Sequence, residues 1–521
     1  MRTRTRQRQP TRRATRSVSP LPGGTLLSGA DALMPARVML ANPACNLGES
    51  QHCEHVLVDR ELNKALYGYE GMLQARFDGV DETLKAVAEL PRDEGFVARA
   101  QQLACTRLGC ELPAFMLQGP WIAGLDMPAL YAHCLFEMCR HSVAQAPQEQ
   151  QSWLKGMAID DAFLTECGYH TLDITPCADG RLQGVLPFVL RIAPTSDAVV
   201  LKAYAGALFD IELDMADWSQ RELAQRLSGR RETRYLKMAV YHYSSSKPSS
   251  EGCAAHGSDE QAARDAAIDR LRQLRNGIAQ AFGAGLGPDV LLLGVDTDLD
   301  AIRVHFPDAN GEPTATATVD AARIYRETLG MTAEQARAHI ASAVEQVADK
   351  LRSTGRAGMK ALIARLLEAN LSQIEYVIQH HEGRYESLGH GERFICVGDP
   401  IDDLQMRNLY YFAHLDTLEE GAACVDVGMH IFEKLNLSRG FPIPVIVHFS
   451  YASVIPGARE RVIERGERVM SAIQARYRDR MPSGMIKFAL CVSDATGAER
   501  LALVRECVTN AQAGNSEGMV S

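Results

Sequence analysis

At 521 residues, with 46% apolar and 23% charged side chains, the chain reads as a soluble globular protein too long for one hydrophobic core, and two to four domains are expected. No apolar run approaches the ~20 residues of a membrane helix, and the N-terminus lacks the apolar stretch of a signal peptide, so a cytosolic protein without a membrane partner is expected. Thirteen scattered cysteines, an odd number, fit reduced thiols better than a disulfide framework.

Charge is uneven along the chain. Residues 1–20, "MRTRTRQRQPTRRATRSVSP", hold seven arginines and no acidic residue, giving +7; with the whole chain at −10, the remainder carries −17. Such a stretch cannot build a core and reads as a disordered docking arm for an acidic surface, or as a solvated leader. The acidic body argues against nucleic acid as the partner. A tail and linker over 1–57 are expected.

Residues 58–150 read as a helical domain: "RELNKALYGYEGMLQARF", "VDETLKAVAEL" and "MPALYAHCLFEMCRHSVAQA" repeat apolar residues at three- and four-residue spacing, and the pattern ends near "APQEQQ". From 151 the pattern turns to mixed α/β. "DAVVLKAYAG", "LKMAVYHYS" and "DVLLLGVDT" read as strands, and "DEQAARDAAIDRLRQLRNGIAQAF" reads as a helix capped by Ser258 with Asp259 in its first turn. Long helices follow over 319–353 and 359–381, and a strand returns with "RFICVGD". The domains expected are 151–390 and 391–521, in an α/β multidomain chain.

These two regions repeat one another. "AVYHYSSS" (239–246) matches "VIVHFSYA" (445–452), with His242 opposite His448; each is followed by a loop, a charged amphipathic helix and an apolar strand ending near an Asp. Upstream, Leu182-Gln183 lines up with Leu404-Gln405, which puts Cys177, Asp179 and Arg181 opposite Asp399, Ile401 and Asp403. The chain is read as two diverged copies of one α/β unit, the second without the chemistry of the first.

What the first copy retains is Cys177, His242 and Cys253, a two-thiolate, one-imidazole set that leaves one zinc position open. Each alone reads more readily as a core residue. Together with Cys-x-Asp-x-Arg at 177–181 they gain weight, because one short loop then supplies a ligand, a carboxylate acceptor and a guanidinium. His256 is left outside the set. A closed structural zinc site in a scaffold protein is the alternative, with Asp179 or His256 as fourth ligand. A zinc deaminase is disfavoured, since "PCADG" offers no second cysteine.

"CADGR" resembles the Cys-x-Asp-x-Arg loop of β-type carbonic anhydrases, and "YHYSSSKPSSEGCAAHGSDE" is similar to the carboxysomal, ε-type branch, in which a long loop replaces the usual His-x-x-Cys spacing. The resemblance covers roughly 58–515. It implies one Zn2+ on Cys177, His242 and Cys253 and catalysis of CO2 hydration to bicarbonate. In that reading Asp179 accepts a hydrogen bond from the attacking hydroxide, and Arg181 pins the carboxylate. It further implies a degenerate second β-carbonic-anhydrase-like unit, a homodimer or a multiple of dimers, and residence in the carboxysome. There residues 1–20 are expected to bind Rubisco, or shell proteins.

Overall fold

The computed structural model describes residues 54–508, except 118–124, 195, 230–232, 284, 352–356, 386–390, 416–417, 480, 483 and 498. The arginine-rich stretch 1–20 lies outside the described residues. Residues 54–57, expected within the linker, are part of the structured body: His55 is buried, its Nε2 sits 2.7 Å from the Thr328 hydroxyl, and its ring stacks on Tyr325.

The helical region is built on α1 (Arg60–Glu89), α2 (Phe96–Leu108) and α3 (Met127–Leu154). The two apolar stretches separated in the sequence reading form one helix, α1. It buries Leu62, Leu66, Tyr69, Leu73, Phe77, Val80, Leu84 and Val87 at three- and four-residue steps, and Asp59 caps it by accepting from the Leu62 N–H. α3 runs through Pro147 to Leu154, past the end expected near 146–151.

The first sheet comprises β1 (Tyr169–Pro176), β2 (Val199–Leu201), β3 (Arg234–Tyr243), β4 (Asp289–Asp296), β5 (Ala301–Pro307) and β6 (Pro313–Asp320), in the order β2-β1-β3-β4-β5-β6. The first four strands are mutually parallel, β5 runs antiparallel to β4, and β6 antiparallel to β5. Helix α4 (Ile211–Leu227) leads from β2 past β1 to β3, and α5 (Glu260–Phe282) crosses between the parallel neighbours β3 and β4. Only Val199–Leu201 of the expected strand 197–206 is extended; beyond it the chain makes a lone bridge from Tyr204 to Cys177 and a tight turn. The cap of α5 is Asp259, whose carboxylate accepts from the Ala262 N–H, and not Ser258, which sits at φ 66°.

Helices α6 (Ala321–Thr328), α7 (Ala333–Lys350) and α8 (Ala357–His380) lead to the second sheet. It comprises β7 (Phe394–Gly398), β8 (Tyr410–His414), β9 (Ile443–Tyr451), β10 (Ile486–Asp494) and β11 (Ala502–Cys507), ordered β8-β7-β9-β10-β11, with only β11 antiparallel. Helices α9 (Leu418–Leu435) and α10 (Ala458–Tyr477) connect its strands.

Strand order and direction thus agree from β2 to β5 and from β8 to β11, and the strand ends agree in detail. Thr297 N–H donates to the Tyr243 carbonyl and Ala495 N–H to that of Tyr451; Asp296 accepts from Ser245 and Asp298 N–H, and Asp494 from Ser453 and Thr496 N–H. Tyr451 therefore stands where Tyr243 does, Ser450 where His242 does, and His448 where Val240 does. The Val240 and His448 carbonyls accept the Cys177 and Asp399 N–H in turn. The matching of His448 with His242 is two residues out. A two-residue slip keeps every side chain on its own face of the strand, so alternation cannot detect it.

The larger core runs from the first sheet through α8 into the second, and another joins α1–α3 to the second sheet through Phe394, Phe412 and Ile446. A buried polar chain crosses the same junction. Arg407 forks onto Asp300; Gln373 donates to Asp300 at 3.0 Å; and Arg191 donates to Gln373 at 2.9 Å and to Asn63 at 2.7 Å. Burial lowers the Arg191 guanidinium to about 10, against the opposing pull of Tyr385, Tyr376, Asp59 and Asp300. Among the described residues no cysteine is in a disulfide.

Candidate metal centre

Cys177 follows β1 directly, His242 is the penultimate residue of β3, and Cys253 ends the long loop that leaves β3, so all three gather at the carboxyl ends of parallel neighbours. That end of an open α/β sheet is where ligands bind. Their ligand atoms lie within 4.8 Å of one another, and theirs is the one metal-type cluster of three found among the described residues.

Several observations test whether a metal fits. The Cys177 and Cys253 sulfurs are 3.7 Å apart, and two thiolates bound tetrahedrally at about 2.3 Å stand about 3.8 Å apart. His242 is fully buried, yet neither ring nitrogen has a hydrogen-bond partner among the described residues. A buried imidazole left so is costly unless something else takes its lone pair. The sulfur–sulfur hydrogen bond holds the Cys177 thiol well below the usual thiol range and pushes that of Cys253 well above it; burial opposes the first shift and adds to the second. A cation here would draw both into the thiolate form. Two sulfurs and one imidazole suit zinc.

Beside the cluster lies the Asp179–Arg181 pair. Arg181 forks onto the carboxylate, Nε to Oδ1 at 2.9 Å and Nη2 to Oδ2 at 2.8 Å, and its backbone N–H adds a third bond to Oδ1 at 3.0 Å. The same guanidinium donates to the Glu251 and Gly252 carbonyls, tying the Asp179 loop to the Cys253 loop. Burial works against its charge, but Asp179 outweighs that and raises the Arg181 pKa. Oδ2 of Asp179 is 3.6 Å from His242 Nε2. No member of the site is more than 5% exposed.

All five residues singled out in the sequence therefore meet in one place. His256 stays out of the ligand cluster: its Nε2, buried without a partner among the described residues, packs on Gly206 instead. Among the described residues no fourth protein ligand joins the cluster: Asp179 is engaged by Arg181, and His256 faces Gly206. Sequence reasoning missed Gly206, whose N–H donates to Cys177 Sγ at 3.3 Å, and Glu392, Asn408 and Phe412, which hold the 178–180 backbone from the second sheet. Gly206 at φ 68° carried a weak signal as a glycine just after a strand; the others carried none.

Fold and site define a class, that of α/β proteins with a buried two-cysteine, one-histidine site able to hold a metal. Matches to family models then cover the chain in three consecutive parts. These are the N-terminal domain of carboxysome shell carbonic anhydrase at 55–147, its catalytic domain at 159–390 and its C-terminal domain at 391–508. The chain is 42% identical over 466 residues to the carboxysome shell carbonic anhydrase of Halothiobacillus neapolitanus, covering 87% of this chain and 90% of that one. It is 42% identical to the Prochlorococcus marinus protein of that name (84% and 86% covered) and 35% identical to that of Hydrogenovibrio crunogenus (86% of each). The chain belongs to the carboxysome shell carbonic anhydrase family, and it is an enzyme of the carboxysome.

Proposed function

We propose that the chain catalyses CO2 + H2O ⇌ HCO3− + H+ at one zinc ion held by Cys177, His242 and Cys253. The observation that carries this reading is the buried imidazole of His242, whose ring nitrogens meet no oxygen or nitrogen partner at hydrogen-bond distance among the described residues, set beside two cysteines in contact and with a pinned carboxylate 3.6 Å away. Zinc, when bound, supplies the Lewis acidity that makes water a nucleophile near neutral pH. The remaining steps belong to the protein. Ionised Asp179 can only accept, so it takes a hydrogen bond from the O–H of the attacking oxygen and leaves a lone pair facing the CO2 carbon. Arg181 occupies both Asp179 oxygens and so keeps the carboxylate from capping the cation. Burial of the whole set excludes bulk water and strengthens these interactions.

The two sheets, alike in strand order and strand-end hydrogen bonding, support a diverged repeat of a β-carbonic-anhydrase-like unit, whose second copy has Asp399, Ile401, Asp403 and Ser450 where the first has Cys177, Asp179, Arg181 and His242. The reading extends to partners: a homodimer or a multiple of it, supplying CO2 to Rubisco, with residues 1–20 as the docking arm for Rubisco or, failing that, for a shell protein. Elemental analysis and CO2 hydration assays test the core of it. Wild type should hold one zinc per chain, Cys253→Ala should lose it, and Asp179→Asn should keep zinc but lose about two to three orders of magnitude in rate. Two metals per chain, or near-normal turnover of zinc-replete Asp179→Asn, would contradict it.

A further inference from the structure

The loop bearing Asp179 and Arg181 belongs to the first sheet, yet its backbone is held from the second. Gly180 lies between the two functional residues. Its N–H donates to Glu392 Oε1 at 3.1 Å, its carbonyl accepts from Asn408 N–H at 2.7 Å, and the Ala178 carbonyl accepts from Phe412 N–H at 3.0 Å. Contact is close: a Cβ on Gly180 would stand 2.3 Å from Glu392 Cγ. Glu392 is 3% exposed, so its acceptor oxygen reaches Gly180 within the buried interior rather than from solvent.

We propose that Glu392 is a positioning residue for CO2 hydration: through the Gly180 peptide it sets the Asp179–Arg181 fork beside His242. The inference rests on the reading of Asp179 given above. The Arg181 fork fixes Asp179 relative to Arg181, but both ride on one short turn, Gly180–Leu182, capped by Asp179 itself. Such a turn can shift as a unit unless something outside it holds the backbone. Glu392 and Asn408 do so from both sides of Gly180, and misplacing a catalytic group by about 1 Å is enough to cost ~100-fold in rate.

The test uses the full-length zinc protein with Glu392→Ala, Glu392→Asp and Glu392→Gln, together with Asp179→Asn alone and combined with Glu392→Ala. The readouts are kcat and KM for CO2, zinc per chain, and amide hydrogen exchange across 176–184. Glu392→Ala should lower kcat about tenfold or more with KM changed less than about threefold, keep its zinc, and speed exchange of the loop amides but not of β3 or β4. Glu392→Asp keeps the charge but draws the acceptor back by one methylene, so it should show the same loss in milder form; it decides the matter if the alanine variant does not fold. Glu392→Gln, whose amide oxygen still accepts from Gly180, should restore loop protection and most of the rate. In the Asp179→Asn background, Glu392→Ala should cost little more, because both act on one step. Wild-type kcat in Glu392→Ala and Glu392→Asp beside an impaired Asp179→Asn overturns the proposal. So does an equal loss in both backgrounds, or zinc loss with no rescue by Gln. Full activity of zinc-replete Asp179→Asn removes the underlying reading instead, and with it any pair for Glu392 to position.

Discussion

Gly206 carries no chemistry of its own, yet two features of the candidate metal centre converge on it. At φ 68° its N–H points to Cys177 Sγ, and the His256 ring rests where a side chain would be, 2.5 Å from Nε2 to a notional Cβ. Gly206→Ala would strain the backbone and push His256, displacing the only backbone donor seen on that sulfur among the described residues. We expect zinc affinity to fall about tenfold, read as earlier loss of zinc in a chelator titration, with partial recovery in Gly206→Ala/His256→Ala. Unchanged zinc retention would show that the donor to Cys177 is dispensable. The contrast with the ligands explains what could be read in advance. Cys177, Asp179, Arg181, His242 and Cys253 are residue types with few common roles in combination, so spacing and type exposed them. Gly206 and Glu392 touch the site through a backbone N–H given and a backbone N–H received; the first leaves only the weak trace of a glycine after a strand, and the second leaves none.

At the level of strands and helices, the ends of β3 and β4 show how the long loop to Cys253 is anchored. Asp298 accepts from the Ser244 and Ser245 hydroxyls and from Ser246 N–H, while Asp296 takes Ser245 and Asp298 N–H. Burial raises the Asp296 carboxyl to about 6; hydrogen bonds from Ser245 offset part of this, and the charge of Asp298 adds to it. A carboxyl harder to ionise in the folded chain than in the unfolded one, where it titrates near 4, costs stability as pH rises from about 4 to 6. Asp296→Asn keeps an acceptor oxygen and removes that cost. Its stability relative to wild type should therefore grow between pH 4.5 and 7, by about 1–3 kcal/mol, in urea unfolding followed at several pH values. A difference that does not change with pH would place the ionisation elsewhere. Long amphipathic helices such as α5 and α8 and the apolar strands β3 and β4 were legible because their periodicity spans many residues. β1, β5, β6 and β11 were not. β6, "PTATATVD", is mostly half-buried and lacks the apolar alternation that marks a strand, and β1 interleaves Thr and Asp on a sheet whose buried Asp173 is paid for by Lys237 and Tyr235.

For the whole molecule, the charge asymmetry is the feature with a direct solution test. An arm of +7 on a body of −17 should bind an acidic partner through exposed ion pairs, each weak and each screened once the Debye length falls to about 8 Å. Full-length protein should bind Rubisco at low salt and lose most of that binding at high salt; deletion of residues 1–20 should abolish it without changing CO2 hydration. Binding that survives the deletion, or an arm that prefers nucleic acid at physiological salt, would refute the docking role. The three family-model regions are not three independent bodies, since shared cores join the helices to the second sheet and the first sheet to the second. That sharing was invisible to a reading that cut the chain where its periodicity changed. It also bears on when the enzyme begins to work. Gly180 and Glu392 are 212 residues apart in sequence, so a chain still on the ribosome carries Cys177, His242, Cys253 and the Asp179–Arg181 pair before it carries the residues that hydrogen-bond the 178–180 backbone. Glu392 follows Cys253, the last of the three cluster residues, by 139 residues (392 − 253), so synthesis at about 5–20 residues per second separates the two by about 7–28 s. On the positioning role proposed for Glu392, a product truncated before residue 391 should keep Cys177, His242 and Cys253 yet hydrate CO2 more slowly than the full-length chain, a comparison that CO2 hydration assays of the two can make.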